Sequence, residues 1–335
     1  MEFHINPDDL PSLAGKTILI TGTPFSTFPL ESPLTPSTGT NSGIGLSTTH
    51  FLLSHGANVI AGDISASPPP SLPNPNLTPS TPQPKPGTLF YQPTNVTEWS
   101  SIRALFEKGH EHFGRIDHVF ANAGIRPQSN FLEETFDEDG LLAPPNLGTV
   151  DVNLIGVVNT LRLAVYYLKR GDRPQSQQSE SPSNGEHIVQ GKSIILSASG
   201  ASLRNFWAAD YATAKHGVLG LIRGLTEDTT SLGGVRLNAV APSWTDTGMV
   251  PKTLLESVGA RVQDAVAVAR AVATLFGDDQ RHGQLVYIWD GRYFELNSSK
   301  GGMLDSVDRM LPEMVSEGEA MVRLRMRSLE SRVTG

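Results

Sequence analysis

Lys16-Thr-Ile-Leu-Ile-Thr-Gly22 is an apolar run that stops on a glycine, and Thr40-Asn-Ser-Gly-Ile-Gly45 is a glycine-rich turn ahead of a second apolar stretch. The first string reads as a fully buried strand. The second reads as a turn opening a helix over Leu46 to His55. Between them stand residues 23–39, with four prolines and no structural period. Thr-Gly-Thr occurs at both edges, at Thr21-Gly22-Thr23 and Thr38-Gly39-Thr40. Closing up the 17 residues gives Ile-Thr-Gly-Thr-Asn-Ser-Gly-Ile-Gly without a seam. The interruption is either a surface excursion or retained untranslated sequence. In the first case, Gly22 or Gly39 serves as the first glycine.

Glycines at a strand-to-helix turn let a pyrophosphate approach backbone N–H groups at the positive end of the helix. This makes Gly22, Asn41, Ser42, Gly43, Ile44 and Gly45 candidates for holding a dinucleotide. A second strand, Ala57-Asn-Val-Ile-Ala-Gly-Asp63, ends 18 residues after Gly45. A carboxylate at that place suits a ribose 2′-hydroxyl. Asp63 would repel a 2′-phosphate, and no Lys or Arg stands between Lys16 and Lys85 to pair one. NAD is therefore expected, with NADP the alternative.

The rest of the chain alternates in the same way. Strands are expected at Thr88 to Gln92, Ile116 to Ala121, Ser193 to Ser197, Val235 to Val240 and Gln284 to Trp289. Helices are expected at Glu98 to Phe113, Thr149 to Leu168, Tyr211 to Ser231 and Asp264 to Phe276. Strand–helix alternation predicts an α/β fold, a Rossmann-type doubly wound parallel sheet in a single domain. That domain spans 16–295, after an N-terminal extension over 1–15 and before a tail over 296–335. Proline-rich or polar inserts interrupt it at about 23–39, 65–87 and 171–191. The end of the tail, from Leu311, reads as a surface helix or frayed end.

Composition narrows the function classes. A net charge of −8 gives no electrostatic reason for a nucleic-acid or anionic-membrane partner. With no cysteine there are no disulfides and no thiolate metal sites. The nine histidines include no His-Glu-x-x-His, and His110-Glu-His112 reads as a solvated helix face, so no metal is expected. The acidic N-terminus and the lack of a long apolar run lead us to expect a soluble, cytoplasmic protein.

Tyr211-Ala-Thr-Ala-Lys215 carries the chemistry. Four residues apart on a helix, a phenol and an ammonium share one face. Bringing a Tyr from about 10 to about 7 requires about 4 kcal/mol. One ammonium at ~4 Å in an effective dielectric of ~20 supplies roughly that, before any cationic cofactor adds its share. The pair is expected to act as a general acid/base near neutral pH.

These motifs together resemble the short-chain dehydrogenase/reductase family over about Lys16 to Asp290. The likeness is carried also by His112-Phe-Gly-Arg-Ile-Asp117, Lys215-His-Gly-Val-Leu-Gly220 and Gly234-Val-Arg-Leu-Asn-Ala239. Within the family the chain looks closest to NAD-dependent secondary-alcohol dehydrogenases of the 15-hydroxyprostaglandin dehydrogenase type. The resemblance implies Tyr211 as catalytic acid/base, with Lys215 lowering its pKa and holding the nicotinamide ribose. It implies Ser199 on the substrate oxygen, with Ser197 and Ser202 as competitors, and Asn153 anchoring a water on the proton path. Asn95, where the family usually has Asp, and Asn122, Thr245 and Thr247 complete the implied cofactor surface. Phe131, Phe206, Trp207, Trp244 and Met249 lie in loops suited to lining an apolar or aromatic substrate pocket. A small-molecule alcohol or ketone is the expected partner, and a homodimer or homotetramer the expected assembly. The rival reading is a dinucleotide-binding protein with little turnover, because of the interrupted phosphate loop.

Overall fold

The computed structural model describes residues 1–22, 43–72, 86–170, 191–226, 232–298 and 300–311. Asn41, Ser42, Gly39 and most of the three inserts lie outside the described residues, as does the tail from 312 onward.

Nine strands form one sheet: β1 (Glu2–Phe3), β2 (Thr17–Thr21), β3 (Asn58–Asp63), β4 (Leu89–Pro93), β5 (His118–Ala121), β6 (Ser193–Ser197), β7 (Arg236–Pro242), β10 (Leu285–Trp289) and β11 (Arg292–Glu295). A separate two-residue pair joins β8 (Thr245–Asp246) to β9 (Gln263–Asp264). The order across the main sheet is β1-β11-β10-β7-β6-β5-β2-β3-β4. From β10 to β4 every neighbouring pair is parallel. The last two strands are antiparallel, Arg292 pairing Trp289 and Glu2 pairing Phe294. The sheet is thus not wholly parallel, and the segment set apart as an N-terminal extension supplies its edge strand. A two-residue strand carries too little pattern to be seen in sequence.

The helices α1 (Ile44–Ser54), α2 (Trp99–Phe113), α3 (Gly156–Arg170), α4 (Ala209–Leu225) and α6 (Ala265–Gly277) cover the sheet, with α5 (Lys252–Ser257) and α7 (Met303–Met310) outside that set. Side chains alternate across a strand, so β2 feeds both layers. Leu19 packs with Phe106, Leu161 and Ile222 from α2, α3 and α4. Ile18 and Ile20 pack on the other face with Leu52 and Val272 from α1 and α6. On α2, Ile102, Phe106 and His110 are spaced by one turn and all are buried. His110 therefore faces inward, its ring 5.6 Å from that of Tyr167, rather than solvent as the sequence suggested.

From β2 the chain moves outward to β3 and β4, then returns across β2 to β5. That reversal opens a crevice at the carboxyl ends of β2 and β5, the place where such sheets bind ligands. The crevice floor is packed backbone on backbone. Gly22 has φ +71, and a Cβ there would lie 2.6 Å from Ala123 Cα. Asn122 Nδ2 donates to the Gly22 carbonyl at 2.8 Å and to that of Thr21 at 3.2 Å. A Cβ on Gly45 would overlap the Gly22 carbonyl oxygen and lie 2.6 Å from Asn122 Nδ2. Gly22 and Gly45 thus meet directly although 20 of the residues between them are not described.

Gly45→Ala is expected to destabilise the protein by about 1–3 kcal/mol through this overlap. Gly220→Ala, on α4 where an added Cβ would meet nothing within 4 Å, is expected to be neutral or to stabilise by up to ~1 kcal/mol. Urea unfolding of both variants checks the contrast in sign.

Candidate active site

Tyr211 occupies the third position of α4, and Lys215 lies one turn on. The Lys215 side chain is 3 % exposed. Its Nζ sits 5.7 Å from the Tyr211 ring centroid and donates to the Ser197 carbonyl at 2.9 Å. Ser197 is the last residue of β6, so the strand end points its carbonyl straight at the ammonium. Burial pulls Lys215 down to about 8 and pushes the Tyr211 phenol up, a rise that its hydrogen bond with the Ser199 side chain only partly offsets. In the free protein the phenol thus lies above its ordinary value, with no cofactor charge beside it. Loss of water disfavours the charged form of each.

Ser199 follows β6 and caps the short 3₁₀ turn Gly200–Ser202. Its Oγ accepts from Ala201 N–H at 3.1 Å, and Ser202 Oγ donates back to the Lys215 carbonyl at 2.7 Å. Of the three serines considered, Ser199 reaches the phenol. Ser202 instead ties the turn to α4, and Ser197 contributes its carbonyl.

Asn153 comes from the long helix between β5 and β6, which is not regular. It begins at Gly148–Val150, widens into a π-helical stretch at Asp151–Ile155, and continues as α3. Widened turns of this kind recur at functional sites. Here the widened turn accompanies a fully buried Asn153 side chain paired with one backbone unit: Oδ1 accepts from Ile125 N–H at 2.7 Å, and Nδ2 donates to Ile125 O at 2.9 Å. A Cβ on Gly124 would lie 3.2 Å from Asn153 Oδ1 and 3.7 Å from Lys215 Nζ. Asn153 and Lys215 thus flank the same glycine, and Tyr211, Lys215, Ser199 and Asn153 converge beside the crevice.

The remaining candidates are distributed along its rim. Gly43 N-caps α1, and Ile44 and Gly45 form its first turn. Asp63 ends β3 with a buried carboxylate that accepts from Ser65 N–H at 3.0 Å. Burial pushes it up to about 6, and nearby Tyr91 donates to the Ser65 carbonyl at 2.8 Å. The Asn95 side chain is engaged locally, accepting from Thr97 N–H at 3.1 Å and donating to Glu98 at 3.0 Å. Thr245 Oγ1 donates to Ser243 O at 2.9 Å, and Thr247 Oγ1 accepts from Met249 N–H at 3.3 Å. Phe206 lies 5.5 Å from the Tyr211 ring and 6.4 Å from Trp244, whereas Phe131 and Trp207 point to solvent.

A dinucleotide fits these residues: glycines keep the crevice floor free of side chains, and a buried, weakly acidic carboxylate closes one end. No group of three or more metal-ligating side chains occurs among the described residues, and none of their helices is long and apolar enough to cross a membrane.

Residues 37–256 match the family model of the short chain dehydrogenases. The chain is 38% identical over 299 residues to short-chain dehydrogenase/reductase ascJ of Acremonium egyptiacum, covering 89% of this chain and 86% of that one. It is 30% identical over 226 residues to the 3-oxoacyl-[acyl-carrier-protein] reductase FabG of Thermotoga maritima, covering 67% and 78%. In fold it is similar to a dehydrogenase/reductase from Sinorhizobium meliloti 1021, with a TM-score of 0.58 at 20% identity over 84% of this chain and 96% of that one. The crevice, the Tyr–Lys helix and these likenesses agree, and the chain belongs to the short-chain dehydrogenase/reductase family.

Proposed function

We propose that the protein interconverts a secondary alcohol and a ketone on an apolar or aromatic small molecule with NAD, NADP being the less favoured cofactor. Within the family, the proposed activity is that of NAD-dependent secondary-alcohol dehydrogenases of the 15-hydroxyprostaglandin dehydrogenase type. The carrying observation is the convergence of Tyr211, Ser199, Lys215 and Asn153 beside the crevice. The nicotinamide, when bound, supplies the hydride acceptor.

The chain's own residues handle the oxygen and its proton. Ser199 Oγ, already bonded to the phenol, holds the substrate oxygen beside Tyr211. The Tyr211 oxygen takes the alcohol proton, and in the reverse direction returns it to the forming alkoxide. Lys215, buried next to the ring, stabilises the phenolate, and its proton exchanges with a water that Asn153 is proposed to anchor. Because burial holds the phenol high in the free protein, ionisation near neutral pH calls for positive charge beyond Lys215. An oxidised nicotinamide carries such a charge. Phe206 and Trp244 flank Tyr211 with aromatic surface, which suits an apolar skeleton. Ile155, Val158 and Tyr166 leave apolar surface exposed on the helix around α3, which supports the proposal of a homodimer or homotetramer.

Asp63 supports the choice of NAD. With its pKa raised to about 6, it is largely ionised above pH 7 and largely neutral below pH 5. Only the ionised form repels a 2′-phosphate. The preference for NAD over NADP is expected to be greatest above pH 7 and to narrow as pH falls through about 6. Asp63→Asn should show a smaller preference that changes less with pH. Equal preference in wild type and variant across pH 5–8 would remove Asp63 from cofactor choice.

Tyr211→Phe is expected to lower turnover of an alcohol panel by at least about a thousandfold while NAD affinity, read from cofactor fluorescence, changes less than about threefold. Lys215→Ala should damage both. Substantial turnover in Tyr211→Phe would overturn the proposed chemistry.

A further inference from the structure

Asp210, immediately before Tyr211, is 6 % exposed and has no place in the chemistry above. Its Oδ1 accepts from Tyr211 N–H at 2.7 Å. Its Oδ2 accepts from Gln128 N–H at 3.1 Å and faces Ser129 Oγ at 3.5 Å. The Thr149 side chain and Ser129 N–H also bond this carboxylate. Gln128 N–H is shared with Thr149 Oγ1 at 3.0 Å. Helix α4 has no side-chain cap at Ala208, so Asp210 satisfies one first-turn amide from within the helix. Burial alone would raise its pKa, and these donors together hold it below the usual carboxylate range.

Three chain segments meet at this one side chain. Tyr211 is its neighbour on α4. Thr149 stands just ahead of the π-helical stretch that carries Asn153. Gln128 and Ser129 end the loop that begins at Asn122 and contains Gly124, the glycine between Asn153 Oδ1 and Lys215 Nζ. Asn153 pins that loop at Ile125, and Asp210 pins it three and four residues later. Ser129 Oγ further approaches the Asn146 carbonyl at 3.3 Å, where the chain returns from its excursion over 130–145. A carboxylate suits this position because it offers two acceptor oxygens and no donor, and every group aimed at it donates.

We propose that Asp210 is a positioning residue for the reaction at Tyr211, a clasp fixing the 122–129 loop and the start of the Asn153 helix to the first turn of α4. This rests on the reading of Tyr211 as acid/base. Asp210 touches no reacting atom, so its loss should act on kcat rather than on cofactor binding. An Asn there keeps the shape but replaces one acceptor by a donor facing N–H groups.

The test uses the full chain. Asp210→Asn is expected to lower kcat by about 10–100-fold, the scale of a misplacement of ~1 Å, with NAD affinity within about twofold. Thr149→Val, which removes one donor from the same carboxylate, should show a smaller fall in the same direction. Independently of turnover, amide hydrogen exchange at Gln128, Ser129 and Tyr211 should rise about tenfold or more in Asp210→Asn, while β6 and α2 are unchanged. Unchanged exchange at those amides, or a kcat equal to wild type, would overturn the clasp. If the wild-type protein turns over no alcohol, the reading of Tyr211 fails, and the exchange measurement still decides whether Asp210 holds the loop.

Discussion

A buried ammonium sets the terms for this site. Lys215 Nζ lies in a place where a charge is disfavoured, and burial draws it down to about 8. An ammonium there needs acceptors and close neighbours that leave it room. The end of β6 supplies the Ser197 carbonyl, and Gly124 passes nearby without a side chain. Asn153, the other neighbour of Gly124, has its carboxamide held from both ends by Ile125. The same loss of water that lowers Lys215 raises Tyr211. The free protein thus holds a phenol whose charged form burial disfavours beside an ammonium that burial draws down to about 8.

Much of the framework was legible because it follows the two simplest periodicities. Apolar runs ending in glycine or a small polar residue marked the parallel strands, and the Tyr-x-x-x-Lys spacing placed both groups on one helical face. The edge pair β1 and β11 was missed because strands of two and four residues with charged members resemble loop. His110 could have been read as inward from its four-residue spacing to Phe106 and Ile102. It was the company of Glu111 and His112 that suggested a solvated face.

Other features depend on long-range contacts and leave little local trace. The π-helical turn at Asp151–Ile155 breaks the helix period by one residue, and Asn153 within it bonds Ile125, 28 residues earlier in the chain. Asp210 has a fainter signal: an acidic residue in the first turn of a helix whose preceding residues, Ala208 and Ala209, cannot cap it. Tyr211 shows what helical spacing leaves out. The spacing puts an ammonium beside the phenol, but burial raises the phenol, and burial is visible only in the fold.

The interrupted phosphate turn gains a physical reading from Gly22. Two equivalent Thr-Gly-Thr strings left open which glycine starts the turn, and the family model begins to match at residue 37, within the interruption. Yet Gly22, with its positive φ and its carbonyl against Gly45 and Asn122, holds the place at the end of β2. Tyr211 is proposed to ionise near neutral pH only when a cationic nicotinamide joins Lys215. The most direct measurement is the tyrosinate absorbance of wild-type protein minus that of Tyr211→Phe, titrated with pH, with and without saturating NAD⁺. The expected result is a phenol that titrates above the ordinary tyrosine range in the free protein and moves toward neutral pH when NAD⁺ binds. A Tyr211 titration that NAD⁺ leaves unmoved would contradict the claim.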